Sequence, residues 1–196
     1  MLIFQDKLPR ENREAIIAKI RSVASSLGIS PNWLMAVINF ETAGTFSTSI
    51  KNPFSGATGL IQFMPATASS LGTSTTQLAA MSFTEQLDFV EKYYRPYKQR
   101  IRGFVDLYLA TFFPAAIGKP DSWVLSAPGI SASKIAEQNP VFAESGVVRV
   151  GKIKSVLLSK VPLAYAKYLV GQSSFFLSVL AVGGIVLWLA SRRKPK

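Results

Sequence analysis

A carboxylate set on the apolar face of a core helix is the feature that most constrains what this chain can fold into. Ser30 suits the cap of a helix and Pro31 its first position, where no backbone N–H is needed. The pattern predicts a helix running to about Thr42. Leu34, Val37 and Ile38 recur on one face, and the next position on that face is Glu41. Ala43 and Gly44 follow, and a glycine past a helix end can take the left-handed backbone that stops it. Glu41 therefore falls in the last turn, where unpaired carbonyls disfavour a second negative charge. Burial also disfavours the ionised form. Together these effects predict a glutamic acid that keeps its proton near neutral pH, as a general acid for a glycosidic oxygen must. From the helix alone, a snorkelling or salt-bridged glutamate is the alternative.

The string Gly56-Ala57-Thr58-Gly59-Leu60-Ile61-Gln62-Phe63-Met64-Pro65 comes next, with two glycines that let the backbone turn tightly and a single amide, Gln62, in an apolar run. Glu41, Gly44 and this string, followed by Ala66-Thr67-Ala68, together resemble the soluble lytic transglycosylase family, related in fold to goose-type lysozyme. The resemblance covers roughly residues 30–71 and continues more loosely to about 113. It implies a mainly α, lysozyme-like helical domain. It also implies that Glu41 acts alone, first as acid and then as base, cutting the MurNAc-GlcNAc β-1,4 bond of peptidoglycan to leave 1,6-anhydro-MurNAc ends.

The same resemblance makes Gln62 a hydrogen-bonding partner of substrate and gives Asn52 and Ser55 polar contacts to the sugar or the acid. Phe63, with Met64, would floor the groove, and Tyr108 would face the acid, with Phe112 its competitor if the register slips. The family's Ala-Tyr-Asn-Ala-Gly motif is absent from the stretch 103–113, which leaves the far wall of the groove without its usual residues. Each assignment has a plainer alternative. Tyr108 can be a core aromatic, Gln62 can hold a structural partner, Asn52 and Ser55 can simply form turns, and Phe63 can be core.

Between Glu14 and Glu85, Glu41 is the only acid. A hydrolase would need a second carboxyl group, for which Glu85, Asp88 and Asp106 are the candidates. A wall-binding protein without turnover is the other reading. Cysteine and histidine are both absent, which removes disulfides, thiol nucleophiles, Ser-His pairs and imidazole or thiolate metal sites. No cofactor and no metal are expected. The stretch 139–152 has an EF-hand-like glycine at Gly146, yet Val141, Ala143, Ser145 and Lys152 would stand where calcium needs oxygen ligands and a closing acid.

A net charge of +11 points to a polyanionic neighbourhood. With no nucleic-acid-binding motif in the chain, peptidoglycan strands are the predicted partner and nucleic acid is not. The predicted organisation is a catalytic domain over 1–118, a linker rich in Pro, Gly and Ser over 119–151, and a basic amphipathic segment over 152–172 suited to an anionic membrane surface. Residues 173–190 carry no charge and predict a C-terminal transmembrane helix of roughly 27 Å, with a cationic tail over 191–196. This makes a lipid membrane the second predicted partner. The apolar piece 2–4 is too short for a secretory signal. A tail anchor without such a signal suits the virion of a lipid-containing phage, where other virion proteins would be neighbours.

Overall fold

A computed structural model describes residues 1–169. The fold is built around α2 (Pro31–Glu41), which the Ser30 side chain caps by accepting from the Asn32 N–H. Leu34 through Ile38 are all buried, and a helix apolar on every side belongs in the interior. α1 (Arg13–Leu27) packs on one flank of α2, burying Ile16, Ile20, Val23 and Leu27 and exposing Glu14 and Arg21 to solvent. α3 (Pro65–Ser70) and α4 (Thr75–Ala80) are short. α5 (Phe83–Tyr94) opens with a complete capping box between Ser82 and Glu85 and lies along α1. Pro96 ends it in a single 3₁₀ turn. α6 (Phe104–Phe112) packs across the other flank of α2.

The remainder of the described chain closes over this frame. α7 (Ala132–Gln138) leads into a two-stranded antiparallel hairpin, β1 (Ala143–Glu144) and β2 (Val147–Val148). Ser145 and Gly146, both at positive φ (51° and 74°), form its turn. The expected linker over 119–151 is thus a folded part of the domain. Leu125, Ile135, Phe142 and Val148 join the same core as α2, and the Leu125 N–H donates to the Val148 carbonyl at 2.9 Å. The apolar start of the chain is also used, since Leu2, Ile3 and Phe4 are buried and Phe4 packs edge-on against Tyr165, which lies on α9 (Leu163–Ala166).

Two further expectations need correction. The fold class predicted a lysozyme-like helical domain ending in a transmembrane helix, but no helix among the described residues is long and apolar enough to cross a membrane. The longest of them, α1, has 15 residues and spans about 22 Å, against roughly 30 Å for a bilayer core, and one of its faces is polar. Residues 173–190 and 191–196 lie outside the described residues, so no described helix carries the membrane partner assigned through them. The first part of the basic segment 152–172 falls on α8 (Val150–Ser159), whose apolar residues Val150, Ile153 and Leu157 are buried in the domain core. That face packs against protein, so the membrane-surface reading does not hold for α8. Lys152 and Lys154 pair with Glu144 at 3.1 Å and Asp121 at 3.2 Å.

Candidate active site

Glu41 is the last residue of α2, and the turn after it shows why the helix stops there. The Gly44 N–H donates to the Asn39 carbonyl at 2.7 Å and the Ala43 N–H to the Phe40 carbonyl at 3.2 Å, which together make a Schellman closure. Ala43 takes the left-handed position that glycine was expected to fill (φ 49°), and Gly44 follows at φ 78°. A residue with a Cβ in this conformation is strained. The strain sits two residues from the acid. Thr42 ties the turn to the core, its hydroxyl donating to the Ile38 carbonyl and accepting from the Phe46 N–H.

The packing of α6 across α2 sets Tyr108 beside Glu41. Burial pushes the Glu41 pKa from 4.5 up to about 8, and the Tyr108 hydroxyl, acting as a donor to the ionised form, pulls partly back. Tyr108 is itself buried in a group of rings. Its centroid lies 5.1 Å from Phe40, 5.9 Å from Phe112 and 5.9 Å from Phe142. Phe142 also stacks on Phe40 at 6.1 Å. Burial first, and then the Glu41 charge, raise the Tyr108 phenol well above its ordinary range, so it remains a neutral donor.

A cavity of about 350 Å³ opens at Glu41, with Gln62, Asn52 and Tyr108 among its lining residues. Cavities of similar size occur elsewhere on the molecule, one of them lined by the ion-paired Lys154 and Asp121. The cavity at Glu41 is set apart by its carboxyl at the end of a core helix. Gln62, Met64 and Thr111 line both this cavity and an adjoining cleft of about 30 Å³, to which Phe63 and Tyr93 are added.

The other predicted residues separate into two groups. Gln62 lines the cavity from a left-handed backbone (φ 50°), its Nε2 donating to the carbonyls of Gly59 at 3.2 Å and Ile50 at 3.3 Å. Asn52 also lines the cavity, and its Oδ1 accepts from the N–H groups of Phe54 and Ser55. Ser55 is not a lining residue; its hydroxyl accepts from the Ala57 N–H within the turn. Phe63 is buried, edge-on to Tyr93, and borders the small cleft in place of the cavity at the acid. Phe112, the competitor of Tyr108, lines the cavity together with it, so the two share the wall.

At Gly59 the missing side chain lets the backbone approach another part of the protein closely. A Cβ placed on Gly59 would fall inside the Gln86 amide, and Gly59 also needs its positive φ of 84°. Gln86 is fully buried on α5. Its Oε1 accepts from the Leu60 N–H at 2.6 Å, and its Nε2 donates to the carbonyls of Leu78 at 2.7 Å and Thr48 at 3.0 Å. This amide anchors the strand of chain that carries Gln62. Its one trace in the sequence is a polar residue on the stripe formed by Phe83, Leu87 and Val90.

The candidate second acids are engaged elsewhere. Glu85 closes the α5 capping box, Asp88 pairs with Lys19, and Asp106 accepts from the N–H groups of Arg102 and Gly118. Among the described residues, Glu41 is the one carboxyl lining its cavity, and no cluster of acids there could hold a metal ion. Five lining residues were not singled out from sequence: Ala57 and Ile61, which lie within the glycine-containing string, and Thr111, Asn139 and Phe142. Asn139 and Phe142 belong to the stretch whose composition predicts a linker, where an Asn-Pro turn signal at 139–140 is the available hint. Compared with protein-family models, curated proteins and solved structures, the chain matches none.

Proposed function

We propose that the protein is a peptidoglycan lytic transglycosylase in which Glu41 is the single acid and base. The observation that carries this reading is a carboxyl held protonated near neutral pH, with a pKa of about 8, at the wall of an open cavity that no other described carboxyl lines. The protonated Glu41 donates to the glycosidic oxygen, and the C1–O bond breaks to release the 4-hydroxyl of GlcNAc. The carboxylate then takes the proton of the muramic acid 6-hydroxyl as that oxygen bonds to C1, which closes the 1,6-anhydro ring. Glu41 ends protonated again and no water is consumed. Tyr108 favours the intermediate carboxylate by donating to it.

The lining supports a ligand rich in hydroxyl and amide groups, because beside Glu41 it holds amides, hydroxyls, aromatic rings and aliphatic side chains. The net charge of +11 favours approach to a wall rich in anionic polymers. The resemblance of the segment from Glu41 through Pro65 to soluble lytic transglycosylases points the same way. Turbidity of purified cell-wall suspensions tests the reading. Wild-type protein should clear them and Glu41→Gln should not; equal clearing by both, or by neither, overturns it.

A further inference from the structure

The side-chain amides at the cavity share an arrangement, in which one end of each is fixed to the backbone and the other end has no protein partner among the described residues. Gln62 is held through Nε2, which leaves Oε1. Asn52 is held through Oδ1, which leaves Nδ2. Asn139 caps the end of α7, its Nδ2 donating to the Ile135 carbonyl at 2.9 Å, and its Oδ1 is left over. None of these unpaired atoms is sealed from solvent, since the one orphaned buried side-chain atom in the described chain is Arg13 Nε. Each amide is pinned at one end and open to solvent at the other, and such amides gathered at one opening are suited to a ligand that brings its own hydrogen-bonding groups.

Resting on the saccharide reading above, we propose that Asn139 is a sugar-binding residue whose Oδ1 accepts a hydrogen bond from a hydroxyl or N-acetyl N–H of the unit seated beside Glu41. Its Nδ2 remains on Ile135, which fixes the amide orientation before substrate arrives. Asn52 and Gln62 stand at the same opening with one unpaired donor and one further unpaired acceptor. The three amides together offer the donor and acceptors that an N-acetylated sugar, itself both donor and acceptor, can satisfy. Phe142, three residues after Asn139, stacks on Phe40, the neighbour of Glu41, and so holds this wall against the end of α2. The 132–148 unit thereby supplies part of the binding surface as well as part of the core.

The test uses the full chain carrying Glu41→Gln, which cannot turn over, and a soluble GlcNAc-MurNAc tetrasaccharide titrated by calorimetry. Adding Asn139→Ala should weaken binding about five- to tenfold. Adding Asn139→Asp keeps an acceptor oxygen but loses the donor to Ile135, and affinity should stay within about threefold of the parent. Equal losses in Ala and Asp would assign the effect to the helix cap, and an unchanged affinity in Ala would remove Asn139 from the site; either result overturns the proposal while leaving the saccharide reading intact. If the Glu41→Gln parent binds no tetrasaccharide and wild-type protein leaves cell walls intact, the saccharide reading fails and this inference fails with it.

Discussion

The Tyr108 hydroxyl is held beside the Glu41 carboxyl, and each group changes the other's hold on its proton. The pair forms because α6 crosses α2 at the turn where Glu41 ends its helix, and Phe40, Phe112 and Phe142 pack around the Tyr108 ring. In the proposed transglycosylase reaction the carboxyl must part with its proton, and Tyr108 limits how far burial can hold that proton in place.

This coupling fixes a pH profile. The first step needs protonated Glu41, so kcat/KM should be flat through neutral pH and fall above about 8, with no acidic limb from a second carboxyl in the cavity. Tyr108→Phe keeps the ring and removes the donor that favours the ionised acid. The basic limb should then move to higher pH, and a limb that stays in place would separate Tyr108 from the acid.

Glu41 should also cost the fold stability in a pH-dependent way. Its folded pKa lies above the unfolded value, so the native state binds the proton more tightly. The resulting contribution is complete below about 4.5 and is lost as pH rises toward about 8. Glu41→Gln, neutral throughout, should match wild type at pH 4 and exceed it by up to about 3 kcal/mol at pH 7, at about 1.4 kcal/mol per pKa unit. Urea denaturation at the two pH values measures the difference.

Gln86 should matter for stability far more than its polarity suggests. Gln86→Ala strands the Leu60 N–H and the Thr48 carbonyl and takes one of two donors from the Leu78 carbonyl, at a cost on the order of 3 kcal/mol. Chemical denaturation should show that loss, with reduced activity because the chain bearing Gln62 is no longer anchored.

The burial of α8 separates a core helix from a membrane-facing one. Leu157→Ala should lower stability by about 2–4 kcal/mol in thermal or urea unfolding. Replacing Lys152, whose pairing with Glu144 is partly solvated, should change it by less than about 1 kcal/mol.

The sequence signals that could be read were those carried by local chemistry. Ser30-Pro31 and the Ser82–Glu85 box mark helix starts because their partners lie within one turn. Glu41 was legible because its place on the Leu34, Val37, Ile38 face is a matter of helical period alone. What stayed hidden depends on partners far along the chain. Gln86 meets Leu60 and Thr48 from 26 and 38 residues away, and no local pattern marks a polar residue as a clamp. Leu125, Phe142 and Val148 are spaced too sparsely among Pro, Gly and Ser to show a period, so a folded wall of the cavity read as linker. Ala43 took the left-handed position that glycine chemistry would assign to its neighbour.

The products of wall digestion test the central claim most directly. Mass spectrometry of muropeptides released by wild-type protein should show 1,6-anhydro-MurNAc ends, and Glu41→Gln should release none. Reducing ends carrying the oxygen of water, or product that persists without the Glu41 carboxyl, would contradict a single-acid transglycosylase.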